Sequence, residues 1–316
     1  MMKPDNPIDD QKKLQGRKVG VVGLGVMGKP MARNLHSAGA EVVVASRGQA
    51  PVRELVAEGM AAPADLPELA RAVGAEGVVI LMLPFPEAVE AVVRGERGLL
   101  ESLEPGSLVI DMSSTSVALT RELGEELGGR GCDFIDAPVS GGEVGAVDAS
   151  MTIFAGGSEE AFARALPFFE VLGGKARHMG GTGAGQVTKL ANQVIVALSI
   201  DAVAEALVLV EGAGVEPGKV REALGGGFAD SRILDLIGQR MVERSFEPGG
   251  RTAYQLKDLR HACQLMGECG LELPTLRASV PLWQKMIDEG KSELDHSALF
   301  TLFDPQLANA QRVVDD

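Results

Sequence analysis

The sequence predicts an α/β domain with a parallel sheet, followed by an all-α domain that a long central helix joins to it. Short runs rich in Val and Ile alternate with helical stretches up to about residue 174, which is the pattern of a parallel sheet covered by helices. A glycine-rich segment at residues 180–185 ends this pattern, and every later segment has helical spacing. The 316 residues also suffice for two domains, each with its own core.

Six strands and two intervening helices are predicted in the first part of the chain. The helices cover residues 27–38 and 65–73, and Pro30 falls in the first turn of the former, where proline is tolerated. The strands are expected at residues 18–24, 41–46, 77–83, 108–111, 133–137 and 151–155.

The second part begins with a helix from residue 184 to about 213, which is apolar on nearly every side. Lys189, Asn192, Asp201 and Glu205 interrupt it, so a buried helix is favoured over a membrane span. Further helices are predicted at residues 217–224, 231–244, 253–269 and 274–289. We therefore divide the chain into a flexible N-terminus (1–16), a dinucleotide-binding domain (17–180) and a helical domain for substrate binding and oligomerisation (181–316).

The composition excludes several classes of partner. Acidic residues outnumber basic ones 44 to 30, and the formal net charge of −14 repels nucleic acid and anionic lipid. Neither the cysteines nor the histidines have metal-ligand spacing, so no metal is expected. The polar first fifteen residues lack the apolar core of a signal peptide, which predicts a cytoplasmic protein.

A G-x-G-x-x-G motif follows the first predicted strand and precedes a helix, the context of a dinucleotide fingerprint in a Rossmann-type domain. Gly23 permits the tight turn, Gly25 lets the backbone approach a pyrophosphate, and Gly28 allows close packing of helix on strand. The free N–H groups at that helix start would face the phosphates. The whole turn is a predicted cofactor site: Gly23, Leu24, Gly25, Val26, Met27 and Gly28.

The end of the second strand bears on the choice of cofactor. An NAD enzyme is expected to carry an acid there, but this chain has Ser46 and Arg47. Because a hydroxyl and a guanidinium can bind a 2′-phosphate, NADP is predicted as the preferred cofactor, with NAD possible. The alternative is that Arg47 is a solvated loop cation.

Two further loops are predicted to border the cofactor, because they follow the third and fourth strands at the carboxyl edge of the sheet. The first comprises Met82, Leu83 and Pro84, and the second contains Ser114 and Thr115.

Lys189 is the candidate acid or base, because a lysine on an apolar helix is costly to bury unless an anion meets it. Asn192, three residues on, shares its helical face and could orient a substrate oxygen. The alternative is a lysine that snorkels to water or closes an ion pair between domains. The segment Ser140, Gly141 and Gly142 could hold a small carboxylate through its N–H groups and hydroxyl, although Ser-Gly-Gly alone is also a common turn.

Four blocks of sequence resemble the β-hydroxyacid dehydrogenase family: VGVVGLGVMGKPMARNL at 19–35, DAPVSGG at 136–142, GAGQVTKLANQVIVAL at 183–198 and KDL at 257–259. The resemblance covers almost the whole chain. It implies a Rossmann-type domain and a helical domain, with Lys189 as general acid or base and Asn192 beside it. It also implies a substrate carboxylate at residues 140–142 and Lys257 near cofactor and active site. Thr115, in the loop after the fourth strand, is predicted to contact the substrate as well as the cofactor.

Within this family the chain is most similar to the tartronate semialdehyde reductase branch, through KLANQVIVAL, PGGR before KDL, and DHSAL at 295–299. This resemblance implies Arg251 as a second anion contact, although an exposed loop arginine is the more common case. The chain departs from the branch at Ser46, where an acid is common, at Val117, where proline is expected, and at 148–150, where the usual glycine is missing.

These observations predict an oxidoreductase that reduces a small aldehyde acid, of the tartronate semialdehyde type, with hydride from NADPH and a proton from Lys189. The same family also leaves open reductases or dehydrogenases for 3-hydroxyisobutyrate, succinic semialdehyde or glyoxylate. An alternative of another class is a non-catalytic NADP-binding sensor. A homodimer or homotetramer is expected, because the long apolar helix offers an interface.

Overall fold

The computed structural model describes residues 13–304 of the chain. Backbone contacts divide the chain into two compact units, Met1–Lys189 and Leu190–Asp316. Residues 1–12 of the predicted flexible N-terminus lie outside the described residues. Residues 13–16 form a turn in which Leu14 is fully buried and donates its N–H to the Ala38 carbonyl at 3.0 Å, so this turn is a fixed part of the first unit.

The first unit is built on an eight-stranded sheet. Its first five strands are parallel and have the order β2-β1-β3-β4-β5. They are β1 (Lys18–Val22), β2 (Glu41–Ala45), β3 (Val78–Leu81), β4 (Leu108–Asp111) and β5 (Asp133–Asp136). The predicted fold class, a Rossmann-type α/β domain followed by helices, is confirmed.

The far side of the sheet differs from the prediction. Three further strands extend it: β6 (Val139–Ser140), β7 (Met151–Gly156) and β8 (Gly173–Gly180). β7 runs antiparallel to β5 and β6, so the sheet is mixed, and β8 runs parallel to β7. Neither β6 nor β8 was predicted, because β6 has two residues and GGKARHMG in β8 lacks an apolar alternation.

Helices cover both faces of this sheet. They are α1 (Gly28–Ser37), α2 (Gln49–Ala57), α3 (Leu66–Val73), α4 (Pro86–Arg94), α5 (Leu99–Ser102), α6 (Val117–Gly129), α7 (Gly142–Val147) and α8 (Glu159–Leu172). Val21 of β1 belongs to one apolar cluster with Met31 of α1, whereas Val22 belongs to a second cluster with Leu69 of α3. Because alternate side chains enter different clusters, the strands are buried on both faces, and a ligand can approach them only at their ends.

The strand order locates the ligand-binding edge. The chain passes from β1 to β2 on one side and then returns to β3 on the other side of β1. In open α/β sheets, ligands bind outside the carboxyl ends of the strands at such a switch point. This edge lies at the glycine-rich turn after β1.

Within residues 190–304 the second unit consists of helices and the loops that connect them, and one isolated bridge joins Arg251 and Asp295. Its elements are α9 (Ala184–Gly212), which begins in the first unit, α10 (Pro217–Leu224), α11 (Gly238–Glu243), α12 (Thr252–Glu268), α13 (Pro274–Asp288) and a 3₁₀ segment (His296–Leu302). The helix predicted at 231–244 instead contains a π-helical turn, Ile233–Ile237, ahead of α11. Single π-helical turns inside α-helices are rare, so a pattern-based prediction assigns such a segment to an α-helix.

By length and composition alone, α9 could cross a membrane. Within the second unit, however, its Asp201 is buried and accepts hydrogen bonds from Trp283 Nε1, at 3.1 Å, and from the Ser279 hydroxyl. Burial raises the pKa of Asp201 to about 6. The face of the helix that points away from its buried residues is open to solvent: Ile195 is 67% exposed and Leu209 is 73% exposed. Helix α9 therefore packs in this unit through one face.

Candidate active site

The glycine-rich turn after β1 has the geometry that a dinucleotide requires. Gly23 has φ +99°, and a Cβ there would lie 2.3 Å from the Met82 carbonyl oxygen. A Cβ on Gly28 would lie 1.8 Å from the Gly23 carbonyl oxygen. By contrast, a Cβ on Gly25 would meet nothing within 4 Å. Two glycines therefore allow close packing of the protein, whereas the third leaves open space for a ligand.

That open space adjoins the start of α1. A pocket of about 420 Å³ is bordered by Leu24, Gly25 and Val26 of the turn, by α1 and by α7. The helix has no side-chain cap at Met27 and no acidic residue in its first turn. The helix dipole favours an anion at this end. Among the N–H groups of the first turn, however, that of Lys29 already donates to the Gly25 carbonyl at 3.1 Å. These residues fit the pyrophosphate of a dinucleotide cofactor.

The end of β2 carries no carboxylate. Ser46 is half-buried, Arg47 is exposed, and Gly48 then leads into α2. A hydroxyl and a guanidinium in this order fit a ribose 2′-phosphate, but each is also common in a solvated loop.

The loops after β3 and β4 are joined by hydrogen bonds. Leu83 N–H donates to Ser113 Oγ at 3.0 Å, and Ser113 is 1% exposed. Thr115 is also buried, and its hydroxyl shares a hydrogen bond of 2.9 Å with Thr120. Thr115 therefore holds the loop together, while the half-buried Ser114 lies on its more open side. Met82 and Pro84, both half-buried, flank Leu83 at the same edge of the sheet.

The segment predicted to bind a carboxylate leaves β6 and enters α7. Gly141 and Gly142 both have positive φ values, +145° and +62°, which favour glycine. Both glycines are exposed, and Ser140 is half-buried. The chain thus leaves β6 at Ser140 and turns sharply at two exposed glycines, Gly141 and Gly142.

Lys189 lies in α9 at the end of the first unit and is 9% exposed. The start of this helix is anchored by Asp136, at the end of β5. Its Oδ1 accepts the Gly183 N–H at 2.7 Å, and its Oδ2 accepts the Gln186 N–H at 2.8 Å. Burial raises the pKa of Asp136 to about 7, although both N–H groups oppose this shift.

Gln186 connects the same helix to the loop after β4. Its side chain is fully buried; Oε1 accepts the Thr115 N–H at 3.2 Å, and Nε2 donates to the Ser113 carbonyl at 2.8 Å. The first unit thus brings together the ends of β3, β4 and β5 and the turn of α9 that precedes Lys189.

In the second unit, α9 and α12 bring together two other predicted residues. Asn192 Nδ2 donates to Gln193 Oε1 at 2.9 Å, and Gln193 Nε2 donates to Asp258 Oδ2 at 2.9 Å. The other carboxylate oxygen of Asp258 lies 3.3 Å from Lys257 Nζ. Two hydrogen bonds and one ion pair therefore link Asn192 to Lys257.

The two short segments PGGR and DHSAL also meet in the second unit. Asp295 is 1% exposed, and its Oδ2 accepts the N–H groups of Gly249 and Gly250 at 3.0 and 2.8 Å. Arg251 follows this turn, and its Nη1 lies 2.7 Å from Glu293 Oε2. Both side chains of this pair are largely open to solvent, so it contributes little to stability. The Arg251 guanidinium also lies over the Tyr254 ring, 5.8 Å from its centroid.

Two family models match the chain. One describes the NAD-binding domain of 6-phosphogluconate dehydrogenase and matches residues 18–181; the other describes the NAD-binding domain of NADP-dependent 3-hydroxyisobutyrate dehydrogenase and matches residues 183–303. The 2-hydroxy-3-oxopropionate reductase of Escherichia coli is 43% identical over 284 residues, which are 89% of this chain and 95% of that protein. The chain belongs to the β-hydroxyacid dehydrogenase family.

Other relatives of this β-hydroxyacid dehydrogenase are named for different activities. The NAD-dependent L-serine dehydrogenase of Pseudomonas aeruginosa is 32% identical over 92% of this chain and 98% of that protein. The structure of Mycobacterium tuberculosis 3-hydroxyisobutyrate dehydrogenase with L-serine is 31% identical, with a TM-score of 0.81 over 90% of this chain and 98% of that one. Membership makes the chain an oxidoreductase with NAD(P)-binding domains, as predicted.

The sequence of this β-hydroxyacid dehydrogenase gave no role to four polar residues that form hydrogen bonds around the predicted site. They are Asp136, Gln186, Gln193 and Asp258. One signal for Gln186 was present, since it shares the apolar helix and lies three residues before Lys189. The contact of Asp136 with α9 joins residues 47 and 50 positions apart, which no local pattern reveals.

We predict that Asp136 makes the stability of this β-hydroxyacid dehydrogenase fall as pH rises from about 4 to about 7. The pKa of Asp136 is raised to about 7 in the folded chain, whereas an unfolded aspartate has a pKa of about 3.9. Between these values the folded state holds the extra proton, so ionisation favours unfolding. Each tenfold change in proton affinity corresponds to about 1.4 kcal/mol, so the free energy of unfolding should fall by at most about 4 kcal/mol.

The measurement is chemical denaturation of the wild type and Asp136→Asn at several pH values between 5.5 and 8. The free energy of unfolding of the wild type, relative to the variant, should decline up to about pH 7 and then level off. Parallel curves for the two proteins would contradict the prediction.

Proposed function

We propose that this β-hydroxyacid dehydrogenase reduces a small aldehyde acid, of the tartronate semialdehyde type, with NADPH as hydride donor and Lys189 as general acid. The observation that carries the proposal is the position of Lys189. It is nearly buried on α9, one turn after the residue that binds the loop at the cofactor edge. The 43% identity to the 2-hydroxy-3-oxopropionate reductase supports the substrate class.

The reduction needs one hydride and one proton. When bound, the reduced nicotinamide supplies the hydride to the carbonyl carbon. The Lys189 ammonium stabilises the negative charge that develops on the carbonyl oxygen and then donates a proton to it. This leaves a hydroxyl on the substrate and a neutral lysine, which regains its proton from solvent. Asn192 lies on the same helical face and would orient the oxygen.

The substrate carboxylate is proposed to bind at residues 140–142. Two consecutive glycines with positive φ turn the backbone sharply there, and Ser140 adds a hydroxyl donor. Arg251 is left out of the proposed site, because its guanidinium pairs with Glu293.

NADP is the proposed cofactor. The support is the pair Ser46 and Arg47 at the end of β2, in a position where an NAD-specific enzyme usually carries a carboxylate. The relative from Pseudomonas aeruginosa, which is named NAD-dependent, keeps NAD as the alternative to be tested.

A homo-oligomer is also proposed. Ile195, Ala202, Ala206 and Leu209 lie at helical spacing along one exposed face of α9, and two of them are large and apolar. A second copy of the chain that covers this face would remove it from water.

Lys189→Ala should lower turnover at least about a hundredfold, which is the usual scale for loss of a general acid. The measurement is NADPH oxidation with tartronate semialdehyde, glyoxylate, succinic semialdehyde and methylmalonate semialdehyde. Tartronate semialdehyde should give the highest kcat/KM of the four.

Lys219→Ala is the matched control, because Lys219 is an exposed lysine on α10. Both variants should bind NADPH with wild-type affinity in a fluorescence titration. Unchanged turnover in Lys189→Ala would remove this residue from the mechanism. Turnover of none of the four aldehydes by the wild type would reject the substrate class.

Ser46→Asp should shift the cofactor preference toward NAD, because the new carboxylate repels a 2′-phosphate and can accept from a ribose hydroxyl. We expect the ratio of kcat/KM for NADPH to that for NADH to fall at least about tenfold. Ala57→Asp adds the same charge at the other end of α2 and should leave the ratio unchanged. A constant ratio in Ser46→Asp would contradict the proposed position of the 2′-phosphate.

Ile195→Glu should dissociate the oligomer, since a buried charge at the proposed interface costs more than the apolar contact supplies. Light scattering should give the monomer mass for this variant and a multiple of it for the wild type. Val215→Glu, also at an exposed valine but beyond the end of α9, is the control. A wild-type protein that is monomeric at all concentrations would reject the proposal.

A further inference from the structure

Gln186, one turn before Lys189 in the first unit, has hydrogen-bond partners for both polar atoms of its side chain. It is fully buried, and the oxygen and the nitrogen of its side-chain amide both contact backbone atoms of one loop. Oε1 accepts the Thr115 N–H at 3.2 Å, while Nε2 donates to the Ser113 carbonyl at 2.8 Å. An apolar side chain of the same size would leave both backbone groups without these partners.

The loop that Gln186 binds is itself fixed. Ser113 Oγ accepts the Leu83 N–H at 3.0 Å, which joins the loop to the end of β3. The Thr115 hydroxyl is bonded to Thr120, in the first turn of α6. Gln186 therefore contacts a rigid part of the edge where the cofactor is expected, rather than a free surface loop.

Helix α9 has a second anchor on a different element. Asp136, at the end of β5, accepts the N–H groups of Gly183 and of Gln186 itself. A contact at the helix end alone would still allow the helix to rotate about its axis. The sideways contact of the Gln186 side chain with the loop after β4 removes that freedom.

We propose that Gln186 is a positioning residue for Lys189: it fixes the rotation of α9 against the loop at the end of β4. The two residues are three apart on one helix and share a face, so any rotation at Gln186 moves the ammonium group of Lys189. A displacement of about 1 Å at a reacting group can cost about a hundredfold in rate. The inference rests on the proposed role of Lys189 as general acid.

The test compares two substitutions of Gln186. Gln186→Met keeps the size and removes both hydrogen bonds. Gln186→Glu keeps the acceptor for Thr115 and replaces the donor to Ser113, which its carboxyl can supply only when protonated. Ser107→Ala is the control, because Ser107 is a fully buried residue whose hydroxyl donates to the Glu104 carbonyl at 2.7 Å, just before β4 begins.

Gln186→Met should lower kcat at least about tenfold while the KM of the aldehyde acid and the Kd of NADPH change less than about threefold. Gln186→Glu should recover part of kcat, and its kcat as a fraction of the wild-type value should be larger at pH 5.5 than at pH 8. The wild type is the reference at each pH, because Asp136 beside residue 186 has a pKa of about 7 in it. Without cofactor or substrate, the Thr115 amide should exchange with solvent faster in Gln186→Met than in the wild type, as followed by hydrogen exchange.

The inference is overturned if Gln186→Met and Ser107→Ala lower kcat by the same factor, or if Gln186→Glu shows no pH-dependent recovery. Equal losses of kcat and NADPH affinity in Gln186→Met would also overturn it, because they would indicate a general loosening of the cofactor domain. A wild-type-like Lys189→Ala variant would instead reject the proposed function, so the two failures can be told apart.

Discussion

The contact between the Asp136 carboxylate and the first turn of α9 determines the geometry of the rest of the candidate site. The first N–H groups of a helix have no partners within the helix. A carboxylate that accepts hydrogen bonds there gives them partners and also interacts favourably with the helix dipole. The contact is possible only because glycines lie around it. A Cβ on Gly185 would be 2.3 Å from the Phe154 carbonyl oxygen, and one on Gly156 would be 2.6 Å from Asp136 Oδ1. The ends of β5 and β7 and the start of α9 thus pack at backbone distance.

This close packing holds the groups of the candidate site in fixed positions at one edge of the sheet. The glycine-rich turn after β1 leaves space at Gly25, and the loops after β3 and β4 are hydrogen-bonded to each other. Gln186 then joins the β4 loop to α9. Buried amide and carboxylate groups are expensive unless every polar atom finds a partner, so such a network permits few alternative arrangements. A rigid arrangement is what hydride and proton transfer to one small carbonyl group requires.

The sequence predicted the parallel part of the sheet, the glycine-rich turn and the extent of α9, because these depend on local periodicity and on short motifs. It did not predict β8, whose residues GGKARHMG form a strand only because β7 is beside them. Lys189 and Asn192 were recognisable as polar residues on an apolar helix. The roles of Asp136 and Asp258 were not, because each depends on a partner that is distant in sequence. Thr115 was predicted at the substrate, but its hydroxyl is bonded to Thr120, a pairing set by the geometry of the loop.

The boundary between the two compact units lies between Lys189 and Leu190, inside the continuous helix Ala184–Gly212. Gene fragments that ended at this boundary would break a 29-residue helix after its sixth residue. The candidate acid would then be the last residue of a frayed end, because isolated helical turns are unstable in water. The two units are therefore poor modules to separate at this boundary, and chimaeras between relatives would retain the complete helix of one parent only if their crossover points lie after Gly212 or before Ala184.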